Sequence, residues 1–413
     1  MLIITSPYRC SHYRGAARSW NNAAERIVGW PQQRVTVPSW RQIFSLPWEA
    51  FPATLSTDVE AYLCRAIGLD LTDDHFTRAQ RPATINTRRS QLRLFATAIA
   101  KSGFAPDMLT DLPTMLAPDV AARGLQYLIG RNAGASNVHI SNLADFLPTL
   151  ARRLDMPAEV VGKLRLMQKK LKIVRHGMTA RNREALRAFD DPKAVSALVN
   201  LPARIWADVS TSGRRGHREA KLSQIALAIG LLLNAPVRIK NLASIEVDRH
   251  LVQAGGRDSG AMHLRFPAHE VKNANELEFP LQPALIEMLD GYLREWRPLL
   301  GDETSVFLFP GKKAGKHKGT GPLSTEIKKL VHAYTRLDMP AHRFRHTDSK
   351  IYLDRRPGQY EVVRLLLGHK NINTTTSFYA GAESAAAARH YAETIRQIQE
   401  TSYPLRQQRE KRA

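Results

Sequence analysis

Leu367-Gly368-His369-Lys370-Asn371-Ile372-Asn373-Thr374-Thr375-Thr376-Ser377-Phe378-Tyr379, read with His342-Arg343-Phe344-Arg345-His346 upstream, decides how the second half of this chain folds. Val362, Val363, Leu365, Leu366 and Leu367 form an apolar run that reads as a core helix, and Gly368 lets the chain turn closely behind it. His342 and Arg345 are three residues apart, so on a helix they share a face. The stretch therefore brings a histidine and, ten residues later, a tyrosine to the end of a helical layer. A tyrosine oxygen can form a covalent intermediate. Arginine forks neutralise phosphate oxygens, and histidines move protons near neutral pH. These residue types together point to chemistry at a phosphate.

His342-x-x-Arg345-His346, then Leu367-Gly368-His369, then Tyr379 resembles the C-terminal signature of the tyrosine recombinases, the phage integrase family. The resemblance covers residues 178–395 and, more loosely, 56–155; it does not reach the first 45. It implies a mainly α fold with a small antiparallel β-sheet (α+β), made of a helical core-binding domain that clamps DNA and a catalytic domain opposite it. Thr84-Ile85-Asn86-Thr87-Arg88-Arg89 is similar to the start of a helix in that core-binding domain.

Composition agrees with a polyanionic partner. Lys and Arg number 60 against 38 Asp and Glu, a formal charge of +22. Such an excess fits nucleic acid better than anionic lipid. Hydrophobic residues make up 43%, enough for packed cores, and 413 residues exceed one ordinary domain. Cys10 and Cys64 are the two cysteines, which excludes a disulfide framework and any Cys-x-x-Cys zinc pattern. Ile225 to Leu233, the most apolar stretch, is far too short to span a membrane. Met1-Leu2-Ile3-Ile4-Thr5-Ser6-Pro7 does not read as a signal peptide. The expected location is the cytoplasm, with nucleoid association when the protein is bound to DNA.

Along the chain, residues 1–45 show Gly15, Gly29, Pro31 and Pro38 with no lasting period, and are expected to be an irregular extension. Residues 56–160 read as the helical DNA clamp, with stripes at Leu92, Phe95, Ala96, Ile99 and at Leu143, Phe146, Leu147, Leu150, Leu154. Residues 161–180 read as a basic linker. Over 161–187, Lys163, Arg165, Lys169, Lys170, Lys172, Arg175, Arg181, Arg183 and Arg187 face one acid, Glu184. With Arg88 and Arg89, the run from Lys163 to Arg175 is the expected DNA-backbone contact set. Residues 181–399 read as the catalytic domain with a tail helix, and 400–413 as a polar tail. Within it, 222–233 reads as a buried helix ended by Pro236. Strands are expected at 245–247, 262–266 and 277–279, with Gly255-Gly256 as a turn. Helices are expected near 283–295, 324–335, 342–354, 360–367 and 383–399.

The resemblance also assigns roles. Arg238, in Asn234-Ala235-Pro236-Val237-Arg238, matches the family's first arginine; the acid often found three residues later is Asn241 here. Lys272, opening Lys272-Asn273-Ala274-Asn275-Glu276-Leu277, matches a hairpin lysine that protonates the departing 5′-oxygen. Arg345 is the second phosphate clamp, His342 helps accept the tyrosine proton, and His369 donates to a phosphate oxygen. His346 points elsewhere on a helix and is expected to fill a structural role. Tyr379 is the nucleophile, with Tyr391 a distant second. The commonest family spacing is one residue shorter and would fall on Phe378, so the Asn371 to Ser377 loop must absorb a residue. A zinc site built from His342, His346 and His369 is the obvious rival, but Arg345 stands among those histidines and opposes a second cation.

The function implied is site-specific cutting and rejoining of double-stranded DNA through a 3′-phosphotyrosyl link, for a phage or other mobile element. It requires no metal, ATP or other cofactor. The implied assembly is a tetramer on two DNA sites, its tail packed on a neighbouring protomer, with accessory DNA-bending proteins as further partners. The rival readings are a type IB topoisomerase-like nickase and a DNA-binding protein whose site is disabled.

Overall fold

Pro82 needs no backbone N–H in a first helical turn, and behind it Leu92, Phe95, Ala96 and Ile99 recur at helical spacing. All four are fully buried. They belong to one of two units into which the chain divides, Met1–Val174 and Arg175–Ala413. The computed structural model describes residues 10–35, 44–68, 72, 74–76, 79–173, 177–254, 261–301, 304–379, 387–388 and 390–400. Within them the chain is mainly α with a small antiparallel sheet. No helix among these residues is long and apolar enough to cross a membrane.

The first unit holds α1 (Cys10–Arg26), α2 (Ala53–Ile67), α3 (Pro82–Lys101), α4 (Leu112–Leu116), α5 (Pro118–Arg131), α6 (Val138–Arg153) and α7 (Ala158–Leu171). Asp111 and Asn137 cap α4 and α6 by accepting backbone N–H groups. Gly124 lets α5 approach α3 closely: a Cβ there would lie 2.7 Å from Ile99 Cγ1. Leu143, Phe146, Leu147 and Leu150 are buried on α6, and Leu154 packs on the same core.

Two expectations change in this unit. The extension expected to be irregular contains α1. Its connections are tertiary: Trp20 meets Trp30 edge-on at 5.3 Å, and Asn21 exchanges two hydrogen bonds with the Val35 backbone. Apart from Cys10, Tyr13 and Trp20 the apolar positions of this helix are alanines, so its period is weak to read. The expected linker at 161–180 is, up to Leu171, the body of α7, which buries Val161 and Leu164 in the first unit's core. Its basic residues lie on the solvent face of a core helix.

The second unit holds α8 (Ala180–Arg187), α9 (Pro192–Val199), α10 (Leu201–Thr211), α11 (His217–Asn234), α12 (Ile239–Ala243) and α13 (Val247–His250). Strands β1 (Leu251–Ala254), β2 (Ala261–Phe266) and β3 (Leu277–Pro280) follow, then α14 (Pro283–Gly291), α15 (Thr320–Thr335), α16 (Ala341–Arg355), α17 (Tyr360–Leu367) and α18 (Ile372–Tyr379). Helix α11 opens on charged residues and is buried on every face from Ser223 to Leu232, so the other elements pack about it. The sheet runs β1-β2-β3, with Leu264 opposite both Leu251 and Phe279. Leu264, Phe266, Leu277 and Phe279 face the core and alternate with polar residues.

The strand expected at 245–247 is only a bridge from Glu246 to Phe307. His250 Nδ1 accepts from the Glu246 N–H and closes a helical turn there, so the strand begins at Leu251. The Gly255-Gly256 turn lies outside the described residues. So do Arg175, Ala380 to Ala382 and the polar tail from 401 onward. The segment expected to be a loop, Asn371 to Ser377, is helix α18 in all but its first residue. Asn371 Oδ1 accepts the Asn373 N–H and caps it.

Candidate active site

An α-helix leaves its last carbonyls without partners. At the end of α17 three consecutive carbonyls are taken by three side chains. Arg345 Nη2, from α16, donates to Leu367 O at 2.8 Å. Asn273 Nδ2, from the β2–β3 turn, donates to Gly368 O at 2.7 Å. Arg364 Nη1, one turn back on α17, donates to His369 O at 2.8 Å. Gly368 has φ 61, in the left-handed region, and a Cβ there would lie 2.8 Å from Leu277 Cδ2. The backbone that carries His369 is thus fixed from three directions.

The same Arg345 reaches the other way, and its Nη1 donates to the buried Pro236 carbonyl. It thereby joins the α17 end to the turn that carries Arg238, the N-cap residue of α12. Burial and the neighbouring Arg238 pull Arg345 down to about 10. Burial also lowers Arg238, whose guanidinium has no hydrogen-bond or ion-pair partner among the described residues. Two guanidiniums held this close, one of them unpartnered, form a site that favours an anion.

Helix α18 supplies the phenol. Thr375 is fully buried, and its Oγ1 lies 3.0 Å from His369 Nδ1. Burial first, then Arg345, Arg238 and Arg364, push His369 down to about 4, so it is neutral near pH 7. With Thr375 donating to Nδ1, the ring's N–H sits on Nε2 and can donate to an oxyanion. Tyr379 is 2% exposed. Its hydroxyl lies 3.1 Å from His346 Nδ1, and Ser349, whose own hydroxyl donates to the Arg345 carbonyl at 2.7 Å, stands beside it. Burial pushes the phenol up to about 12, a rise that Ser349 and Arg345 moderate. The His346 ring stacks on Phe378 with centroids 5.2 Å apart and planes 6° from parallel. Tyr391, by contrast, is 70% exposed.

Arg238, Arg345, His369 and Tyr379 therefore form one cluster of mutually felt charges. His342 lies at its edge, exposed, and reaches the cluster through its effect on His346. Loss of part of its hydration, and then the neighbouring Arg343, lower its pKa. Lys272 is exposed in the β2–β3 turn, tied to the cluster only by its neighbour Asn273. Among the described residues no three His, Cys, Asp or Glu side chains gather closely enough to hold a metal ion.

Of the residues expected to contact DNA elsewhere, all but Arg175, which lies outside the described residues, belong to the first unit. Arg88 lies over the Phe146 ring at 3.9 Å, and Arg89 forms a paired bond with Glu60, both contacts at 2.6 Å. Lys163 pairs with Glu159, while Arg165, Lys169, Lys170 and Lys172 are exposed on or just after α7.

Sequence reasoning set aside His346 and did not single out Ser349, Thr375 or Asn273. Ser349 carried a usable signal, because 342, 345, 346 and 349 fall on one face of α16. Asn273 carried none, since its bond to Gly368 spans 95 residues.

Comparison with known proteins gives one family. Residues 217–385 match the model of the phage integrase family. No curated protein matches the chain. Among solved structures, the XerH site-specific recombinase bound to difH substrate in a pre-cleavage complex is 15% identical. Its TM-score is 0.45, and the match covers 71% of this chain and 76% of that one. A post-cleavage complex of XerH on palindromic difH substrate is 14% identical with TM-score 0.45, covering 82% and 98%. The XerA recombinase is 15% identical with TM-score 0.33, covering 81% and 98%.

Proposed function

We propose that the protein is a site-specific DNA recombinase acting through Tyr379, a reading supported by the match of residues 217–385 to the phage integrase family. One observation carries the reading: a buried phenol shares its pocket with Arg345, beside Arg238 and His369. Tyr379 Oη attacks a DNA phosphorus, the P–O5′ bond breaks, and a 3′-phosphotyrosyl link forms. The energy of the phosphodiester stays in that link, so a second 5′-hydroxyl can reverse the step with no ATP. Arg238 and Arg345 bear on the phosphate oxygens as charge builds on them, and His369 donates from Nε2. Such preorganised electrostatics usually supply the largest catalytic term. Lys272 protonates the leaving 5′-oxygen from the hairpin turn. The partner is double-stranded DNA, cut and exchanged by a tetramer on two sites, in the service of a phage or other mobile element.

The test is a nicked suicide DNA carrying the protein's own site, selected by binding from a random duplex library. A covalent protein–DNA adduct mapping to Tyr379, with strand exchange between two such sites, is expected. Relaxation of supercoiled plasmid without exchange would leave a nickase, and no adduct on any selected site would overturn the reading.

A further inference from the structure

We propose that His346 Nδ1, rather than His342, takes the Tyr379 proton as the phenol attacks. This rests on the recombinase reading above. His346 is in contact with the reacting oxygen at 3.1 Å, whereas His342 is exposed and makes no such contact. The stack on Phe378 sets the plane of the imidazole and so the direction of its Nδ1 lone pair. The family's commonest spacing would place the tyrosine where Phe378 stands. Here the extra residue puts a phenyl ring on the flat of His346 and the phenol on its nitrogen. The longer spacing and the use of His346 are then one feature.

The step balances simply. The Tyr379 O–H bond breaks and its proton goes to Nδ1, while Nε2 keeps its own, giving an imidazolium. The phenolate pair forms the P–O bond, and the P–O5′ pair leaves with the 5′-oxygen, which takes a proton from Lys272. In the second half-reaction His346 returns its proton to Tyr379.

His346 is faced by His342, Arg343 and Arg345 on α16 and by His369 beyond α17, with Tyr379 and Phe378 from α18. Burial, the cationic Arg345 and Arg343, and the neighbouring His342 and His369 hold it at about 4 in the free protein, so it waits as a neutral acceptor. An added proton would be opposed by the same cations until an anion arrives among them. A bound DNA phosphate is that anion. The nucleophile is thus generated only on DNA, and the free protein keeps an unreactive phenol.

Single-turnover adduct formation on the suicide DNA tests this across pH 5 to 9. His346→Asn keeps a hydrogen-bonding group near the Nδ1 position but cannot take a proton. It should bind DNA like wild type and form adduct about 10²- to 10⁴-fold more slowly, the usual range for a lost general base. Its rate should climb with pH where the wild-type rate levels off. His346→Phe, which keeps the stack, should be equally slow, and added imidazole should partly restore His346→Ala. A wild-type rate and pH profile in His346→Asn would overturn the assignment. Loss of the acid limb in His342→Asn instead would do the same. Failure of all three His346 variants to bind DNA would make the residue a packing element and end the proposal. Absence of any Tyr379 adduct in wild type would sink the recombinase reading as well, which separates the two failures.

Discussion

Asn273 Nδ2 donates a 2.7 Å hydrogen bond to the Gly368 carbonyl, and this bond ties the turn that carries Lys272 to the turn that carries His369. The two side chains immediately next to this bond in sequence are those proposed to act on opposite sides of one phosphate. The bond therefore links the two turns that carry the proposed acid and the proposed oxyanion donor, across 95 residues of chain from Asn273 to Gly368.

Lys272 and Asn273 should separate kinetically. Lys272→Ala should slow cleavage strongly on normal DNA, yet cleave a strand with a 5′-bridging sulfur at nearly the wild-type rate, because sulfur leaves without protonation. Asn273→Ala should slow both substrates, since it loosens the His369 turn as well, and should cost roughly 1 kcal/mol of stability. Equal slowing of both substrates by Lys272→Ala would remove the lysine from the leaving-group role.

Tyr379→Phe removes one oxygen from a buried site and keeps its ring. DNA binding should persist and adduct formation should vanish. Tyr391→Phe, at an exposed position, should form adduct normally. An adduct that survives the first substitution and disappears with the second would move the nucleophile to Tyr391.

How much of this was legible in the sequence follows from what each part depends on. The helices at 84–101, 143–153 and 360–367 announce themselves through apolar residues at helical spacing, that at 222–233 through a continuous apolar run, and that at 342–354 through the His342 to His346 motif, since its buried face includes Arg343, Thr347, Ser349 and Lys350. The cluster of Arg238, Arg345, His369 and Tyr379 was legible because its motifs are local and ordered. Helix α18 was not, since Asn371-Ile372-Asn373-Thr374-Thr375-Thr376 has poor helix propensity. It is held by a side-chain cap, a buried Thr375 and a buried Tyr379. The contact of His346 with Tyr379 was hidden for a related reason. The direction of His346 on α16 was judged against His342 and Arg345 alone, while its partner comes from α18. The α7 boundary failed because a charge run hides two core residues, Val161 and Leu164.

His346 and His369 should leave a mark on stability. Each is held at about 4 against an unfolded value near 6.5. The unfolded chain therefore binds more protons between those values, so stability is fully present above pH 6.5 and is lost as pH falls toward 4. Asp348 acts with the opposite sign, because burial raises its carboxyl well above the usual range and favours the protonated fold. The histidine part is isolated by difference. Between pH 6.5 and 4.5 the urea midpoint of wild type should fall faster than that of a His346→Gln, His369→Gln double variant. Parallel curves would mean that the two rings protonate equally well in the folded protein.

The basic face of α7 should act on DNA through charge alone. Lys169, Lys170 and Lys172 are exposed and none has an ion-pair partner among the described residues. Replacing all three with Gln should weaken binding about equally on every sequence. The slope of log affinity against log salt should flatten by up to about 0.9 per lost phosphate contact. An unchanged slope would show that the three lysines are merely solvated.

The tail should decide assembly. Residues 390–400 are helical, and Tyr391 and Ile398 on that helix are 70% and 56% exposed. So short a helix gains little stability alone, and its apolar residues need a surface to rest on. In the proposed tetramer that surface would be a neighbouring protomer. Deleting residues 383–413 leaves α18 and the Tyr379 pocket in place, so the shortened protein should fold and bind one DNA half-site. Filling of the second half-site should lose its cooperativity, and recombination should fail while adduct formation on a half-site continues. A Tyr391→Ala, Ile398→Ala double variant of the full chain should behave in the same way, which separates the apolar contacts from mere length. Synaptic complexes formed by the shortened protein on two full sites would show that the tail does not join the subunits.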